Sequence, residues 1–201
     1  MGTLYLVRHG QASFGAQDYD QLSTLGQQQS RRLGQYWRNK GLAFNTVLTG
    51  TLRRHAQTWA GIAEGALYRN QVLEWAGLNE FDSLALIATV HPQPLEKPDT
   101  PERYRHHFRL LRDGLTQWMK GASNPQGMPS YLEFQRGVVG ALDHVREHCE
   151  GNVLIVSSGG PISTAVGQVL GTRTITLHQV ISHALRRFRT DPRQAAQRLD
   201  Q

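Results

Sequence analysis

Four short clusters in the 201-residue chain carry side chains able to handle a phosphoryl group: Arg8-His9-Gly10, Arg53-Arg54, Glu80 and Ser157-Ser158-Gly159-Gly160. Guanidinium forks grip phosphoryl oxygens through paired hydrogen bonds, an imidazole attacks phosphorus, a carboxylic acid protonates the leaving oxygen, and N–H groups at a helix start add positive potential. That chemistry needs no cofactor, and none is expected. Nor is a metal expected. The pair His106-His107 is the obvious metal candidate, but adjacent helical residues point in different directions and no other ligand set has metal spacing.

For these residues to meet, each must sit just beyond the carboxyl end of a parallel strand, where open α/β sheets bind ligands. The pattern supplies such strands. Thr3 to Val7 is short, apolar and β-rich, and it runs straight into Arg8-His9-Gly10. A helix follows from Ser23 as N-cap to about Lys40, with Leu25, Leu33, Tyr36 and Trp37 as its apolar stripe and Gly41 as its stop. A strand at Thr46 to Leu48 leads through Thr49-Gly50-Thr51 into a helix near Arg53 to Glu64, and a third strand at Gln71 to Glu74 precedes Glu80.

Between about 84 and 130 this rhythm breaks. Three prolines between His91 and Pro98 remove backbone donors, whereas Pro101 to Lys120 reads as a helix with Tyr104, Phe108, Leu111, Leu115 and Trp118 on one side. This segment is expected to be a helical cap inserted over the sheet. A helix at Tyr131 to Cys149 then returns the chain to Val153 to Val156, the most apolar strand, followed by Ser157 to Pro161 and a helix to Leu170. Strands are expected at Thr174 to Leu177 and near Ala184 to Arg189, with a polar tail over Thr190 to Gln201. The sum is a single α/β domain over residues 1–201, a three-layer α/β/α sandwich with a mostly parallel sheet.

Composition narrows the partner. With 22 Lys+Arg against 16 Asp+Glu the net charge is +6, and only Lys40, Lys97 and Lys120 among the basic residues are lysines. The positive charge is therefore mostly guanidinium, which suits anions and phosphate in particular. The single Cys149 excludes an internal disulfide and a cysteine zinc site, as expected of a cytoplasmic protein, and its place at a helix end suggests packing. No apolar run approaches the roughly 20 residues of a membrane helix, so neither a membrane partner nor a signal peptide is expected.

The motifs also resemble a family. Leu6-Val7-Arg8-His9-Gly10-Gln11 is similar to the signature of the histidine phosphatase superfamily, the clan of phosphoglycerate mutases and related phosphatases. Thr51 to Thr58 resembles its second-arginine motif, Leu78-Asn79-Glu80 its acid motif, and Val153 to Gly160 the strand and turn carrying its second catalytic histidine. The resemblance implies that His9 becomes phosphorylated, that Glu80 is the acid, and that Arg8, Gly10, Gln11, Arg54, Ser158 and Gly159 surround the phosphate of a small ester. Aligning Gln57-Thr58 with the family's Gln-Thr selects Arg54 over Arg53. Two positions depart from the pattern: Ser158 replaces the second histidine of Ser-His-Gly-Gly, and Gly15 stands where the mutases carry asparagine.

Blander roles compete for the same residues. Ser158 could be an N-cap for the helix near Pro161, and Glu80 could be a structural carboxylate. Arg54 at a helix start opposes the macrodipole and so needs an anionic partner. His178 or His183 could reach the site in place of the missing histidine. At the level of function, a phosphomonoester hydrolase competes with a phosphate-binding or regulatory homologue weakened by Ser158, and less strongly with a phosphoglycerate mutase. Nucleic-acid binding, suggested by Arg103, Arg105, Arg109 and Arg112 and by the arginines after 185, lacks an aromatic platform and a reader motif. Substrate identity and oligomeric state have no readable signal.

Overall fold

The computed structural model describes residues 2–13, 20–97 and 99–171. The strands expected at Thr174 to Leu177 and Ala184 to Arg189, the tail, His178, His183 and Gly15 lie outside the described residues.

Among the described residues four strands, β1 (Leu4–Arg8), β2 (Thr46–Thr49), β3 (Val72–Glu74) and β4 (Val153–Ser157), form one sheet in the order β1-β4-β2-β3. Every pairing in it is parallel. Among the described residues six α-helices accompany them: α1 (Thr24–Asn39), α2 (Arg53–Ala66), α3 (Ser83–Ala88), α4 (Pro101–Met119), α5 (Tyr131–His148) and α6 (Gly159–Val169). Central β4 is buried at all five positions, because both of its faces are covered. Leu154 and Val156 pack with Trp37, Phe44, Val47, Trp59 and Ile62 on the α1 and α2 side. Val153 and Ile155 pack with Leu48, Leu78 and Ala141 toward α5.

The expected start and stop of α1 hold: the Ser23 hydroxyl accepts from Gly26 N–H at 3.1 Å, and Gly41 adopts φ +65°. Its buried face differs from the expected apolar stripe. Leu25 is 48% and Tyr36 56% exposed, while Gly26, Ser30, Gly34 and Trp37 face inward. Close approach of α2 is the reason. A Cβ on Gly34 would lie 2.1 Å from the Ile62 carbonyl oxygen, and one on Gly65 would lie 2.1 Å from that of Arg31. Backbone contact has displaced side-chain contact along this seam.

The insertion is helical, as expected. Asp82 caps α3, accepting from Leu84 and Ala85 N–H, and Thr100 caps α4 by accepting from Arg103 N–H. Only the distal part of α4 is built into the core, where Leu115 and Trp118 meet Leu86, Phe134, Val138 and Ala165. Residues 101–106 are exposed, Tyr104 among them. Much of the positive charge there is neutralised locally: Arg103 pairs with Glu96 and Asp99, Arg105 with Glu102, and Arg112 with Asp113. Cys149 packs beside the Val153 and Ile155 cluster. Among the described residues, no helix is long and apolar enough to cross a membrane, and no group of His, Cys, Asp and Glu is placed to hold a metal ion.

Candidate active site

Strand pairing brings the first and fourth clusters together. Arg8 stands opposite Ser157 in the β1–β4 register, and His9 N–H donates to the Ser157 carbonyl at 2.9 Å. The loops beginning at His9 and at Ser158 therefore leave the same end of the sheet side by side. The Ser157 hydroxyl donates to the Leu78 carbonyl at 2.6 Å, which ties this end to the turn before Glu80.

His9 is set up as a neutral base. Its Nδ1 lies 2.7 Å from the Gly10 carbonyl oxygen, so Nδ1–H donates there and Nε2 keeps a bare lone pair. Burial lowers its pKa to about 4, helped by the charges of Arg54 and Arg8 and opposed by the Gly10 carbonyl and Asp20. At neutral pH the ring is uncharged.

Arg54 is buried in the first turn of α2, and its Nη1 lies 2.8 Å from Asp20 Oδ1. Leu52, at the N-cap of α2, offers no side-chain acceptor. Asp20 takes over that role, accepting from Arg53 N–H at 2.9 Å and from Arg54 N–H at 3.4 Å. The anionic partner demanded by an arginine at a helix start is thus this carboxylate, reached across the fold. Arg8 is exposed, and no carboxylate among the described residues forms an ion pair with it.

Gly10 and Gln11 serve neighbours in this conformation. Gly10 N–H donates to the Thr58 hydroxyl at 3.1 Å, and a Cβ there would lie 2.5 Å from the Gly26 carbonyl oxygen. The Gln11 side-chain oxygen accepts from the Ser23 hydroxyl at 2.9 Å. Gln57 accepts from Leu22 N–H, so Gln57 and Thr58 pin the loops around the site to α2.

Glu80 lies against the start of α6. Gly160 N–H reaches both carboxyl oxygens, at 3.2 and 3.1 Å, and Gly159 lies alongside. Burial raises the Glu80 pKa and outweighs the Gly160 and Phe81 N–H groups and the charges of Arg54 and Arg8, all of which lower it. The carboxyl keeps its proton to a higher pH than an ordinary glutamate.

Ser158 occupies the N-cap position of α6, yet its hydroxyl makes no bond to a helix N–H. It lies instead 2.7 Å from His55 Nε2. His55 has no exposed surface, and its ring centroid is 5.8 Å from that of His9. Burial, followed by the charges of His9 and Arg54, lowers its pKa to about 3. Sequence reasoning looked to His178 and His183 for a substitute imidazole and passed over this one, although it stands inside the motif Thr51 to Thr58. A usable signal was present: His55 is in line with Trp59, Ile62 and Ala66 at helical spacing, all of them buried. Asp20 had no such signal.

One end of a parallel α/β sheet thus carries a histidine whose pKa burial lowers, two arginines and a glutamate whose pKa burial raises. The chain belongs to the histidine phosphatase superfamily (branch 1), whose family model matches residues 4–196. Solved structures agree in fold. Bacillus stearothermophilus YhfR is 23% identical, with a TM-score of 0.62, over 88% of this chain and 84% of that one. A mycobacterial glucosyl-3-phosphoglycerate phosphatase is 19% identical, with a TM-score of 0.58, over 87% and 82%. Phosphoglycerate mutase from Bacillus anthracis is 17% identical, with a TM-score of 0.56, over 83% and 79%. None of the curated proteins matches the sequence.

Proposed function

We propose that the protein is a phosphomonoester hydrolase working through a phosphohistidine on His9. The observation that carries this reading is the His9 tautomer: Nδ1–H is committed to the Gly10 carbonyl, leaving Nε2 unprotonated in the field of the Arg54 and Arg8 charges. Nε2 attacks phosphorus as the bond to the ester oxygen breaks, and the Glu80 proton passes to that leaving oxygen. Arg8 and Arg54 hold the non-bridging oxygens, Arg54 exchanging Asp20 for phosphate. In the second step the Glu80 carboxylate takes a proton from water, whose oxygen displaces His9 Nε2 from phosphorus. Inorganic phosphate and the starting enzyme result.

The family membership and the phosphatase among the similar folds favour a small phosphate ester as substrate. The ion-paired arginines of α4 argue against a nucleic-acid surface there. One observation favours a second reading, a phosphate-binding protein with slow turnover: both Ser158, at the start of α6, and His55, the α2 residue hydrogen-bonded to it, are uncharged.

A test is to trap the phosphoenzyme at mildly alkaline pH and assay a panel of phosphate esters. Labelling that disappears in His9→Ala, together with turnover, supports the hydrolase. Tight oxyanion binding without labelling selects the second reading. Glu80→Gln should slow hydrolysis of an alkyl phosphate by about 100-fold or more and that of a nitrophenyl phosphate far less.

A further inference from the structure

His55 is the one buried imidazole at this site that the mechanism above leaves unused. Its surroundings contain an unresolved demand for a partner. A neutral imidazole has one N–H and one bare nitrogen, and a hydroxyl has one proton. If Ser158 O–H donates to His55 Nε2, the ring proton sits on Nδ1, where the Gly50 backbone is close enough to raise the ring's pKa but offers only a weak, poorly aligned hydrogen bond. If instead Nε2–H donates to Ser158 Oγ, the hydroxyl proton is left over, and His55 is the only side-chain partner of that hydroxyl among the described residues. Neither residue has exposed surface, so bulk water cannot settle the difference.

Resting on the phosphohistidine reading, we propose that His55 is a positioning residue for the phosphoryl group: it donates Nε2–H to Ser158 Oγ and so turns the Ser158 O–H onto a phosphoryl oxygen carried by His9. An anion at His9 makes this the favoured arrangement, because the leftover hydroxyl proton then has a charged acceptor. The neighbouring negative charge also opposes the depression of the His55 pKa, so the pair becomes a stronger donor when a phosphoryl group is present. Geometry allows it: His9 and Ser158 directly follow the paired residues Arg8 and Ser157, and both adjoin the same ring.

The same geometry sets the outcome of introducing histidine at 158. Ser158 is fully buried against His55, so Ser158→His alone places two imidazoles in space for one and should fold poorly or turn over slowly. The exchange His55→Ala with Ser158→His moves the imidazole across the contact and should recover activity to within a few-fold of the parent.

The test combines kinetics with 15N NMR of the histidine rings. His55→Ala should lower kcat about 10-fold, the value of a charge-assisted over a neutral donor, with little change in KM. Ser158→Ala should lower it at least as much, and the double alanine variant should lose no more than Ser158→Ala alone. Adding tungstate, a phosphate mimic, to the unmutated protein should place the His55 proton on Nε2 or protonate the ring. A folded His55→Ala variant with parental kcat, or losses that multiply in the double variant, would overturn the proposal. So would a His55 signal pointing to Nδ1–H with tungstate bound, a measurement that stands even where His55→Ala does not fold. Phosphoenzyme labelling of the parent against His9→Ala separately decides the hydrolase reading, since the tungstate experiment needs no turnover.

Discussion

Glu80 and Gly160 hold one another at the edge of the site. The Glu80 oxygens lie 3.2 and 3.1 Å from Gly160 N–H, and a Cβ on Gly160 would lie 2.2 Å from Glu80 Oε1 and 2.6 Å from the Phe81 ring. Glycine is needed there for space. Gly160→Ala should expel the carboxyl from its seat and lower hydrolysis of an alkyl phosphate by about 100-fold, the scale of a lost general acid. Overpacking should cost about 1 to 3 kcal/mol of stability. Steady-state kinetics on alkyl and nitrophenyl phosphates, with urea unfolding alongside, checks both effects.

Asp20 both caps α2 and pairs with Arg54. Asp20→Ala removes both the cap and the charge that competes with a phosphoryl group for the guanidinium. Stability without ligand should fall by about 1 to 2 kcal/mol, and the gain in melting temperature on adding inorganic phosphate should exceed that of the parent. An equal or smaller gain would mean that Asp20 does not compete for Arg54.

Acid should destabilise the fold earlier than its carboxylates alone predict. His9 and His55 titrate near pH 6.5 when unfolded but at about 4 and about 3 when folded. Above pH 6.5 the two states bind equal protons at these sites. As pH falls below 6.5, the unfolded chain takes up protons that the folded protein refuses, so stability drops, by up to about 1.4 kcal/mol per pH unit for each histidine. Urea unfolding at pH 7 and pH 5 measures the slope. A folded His55→Asn variant should lose about half of it.

The seam between α1 and α2 depends on absent side chains. Gly65→Ala gains helix propensity of about 1 kcal/mol, but its Cβ would lie 2.1 Å from the Arg31 carbonyl oxygen, so the net effect should be destabilising. Gly140→Ala in α5 is the control, because its Cβ would meet only a Trp75 ring atom, at 3.4 Å. That variant should be as stable as the parent or more so. Denaturant midpoints of the two variants make the comparison.

Much of the architecture is already written in local pattern. Strand β4 opens on four apolar residues because both faces are covered, Ser23 announces a helix start by accepting from a backbone N–H group, and the prolines before α4 mark the cap. Period and capping are local physics, so they survive without knowledge of neighbours. The residue clusters at the strand ends were legible for the same reason, since a parallel sheet brings such ends together. Tertiary structure decided what depends on distance across the chain: that α1 turns glycines and Ser30 inward while Leu25 and Tyr36 face solvent, because α2 approaches at backbone contact. It decided that Arg54 pairs with Asp20, 34 residues away. It also gave Ser158, 103 residues from His55, that histidine rather than a helix N–H as its hydrogen-bond partner. No periodicity encodes a contact between side chains so far apart in sequence, and only the packing of β4 between its two helical layers brings them within bonding distance.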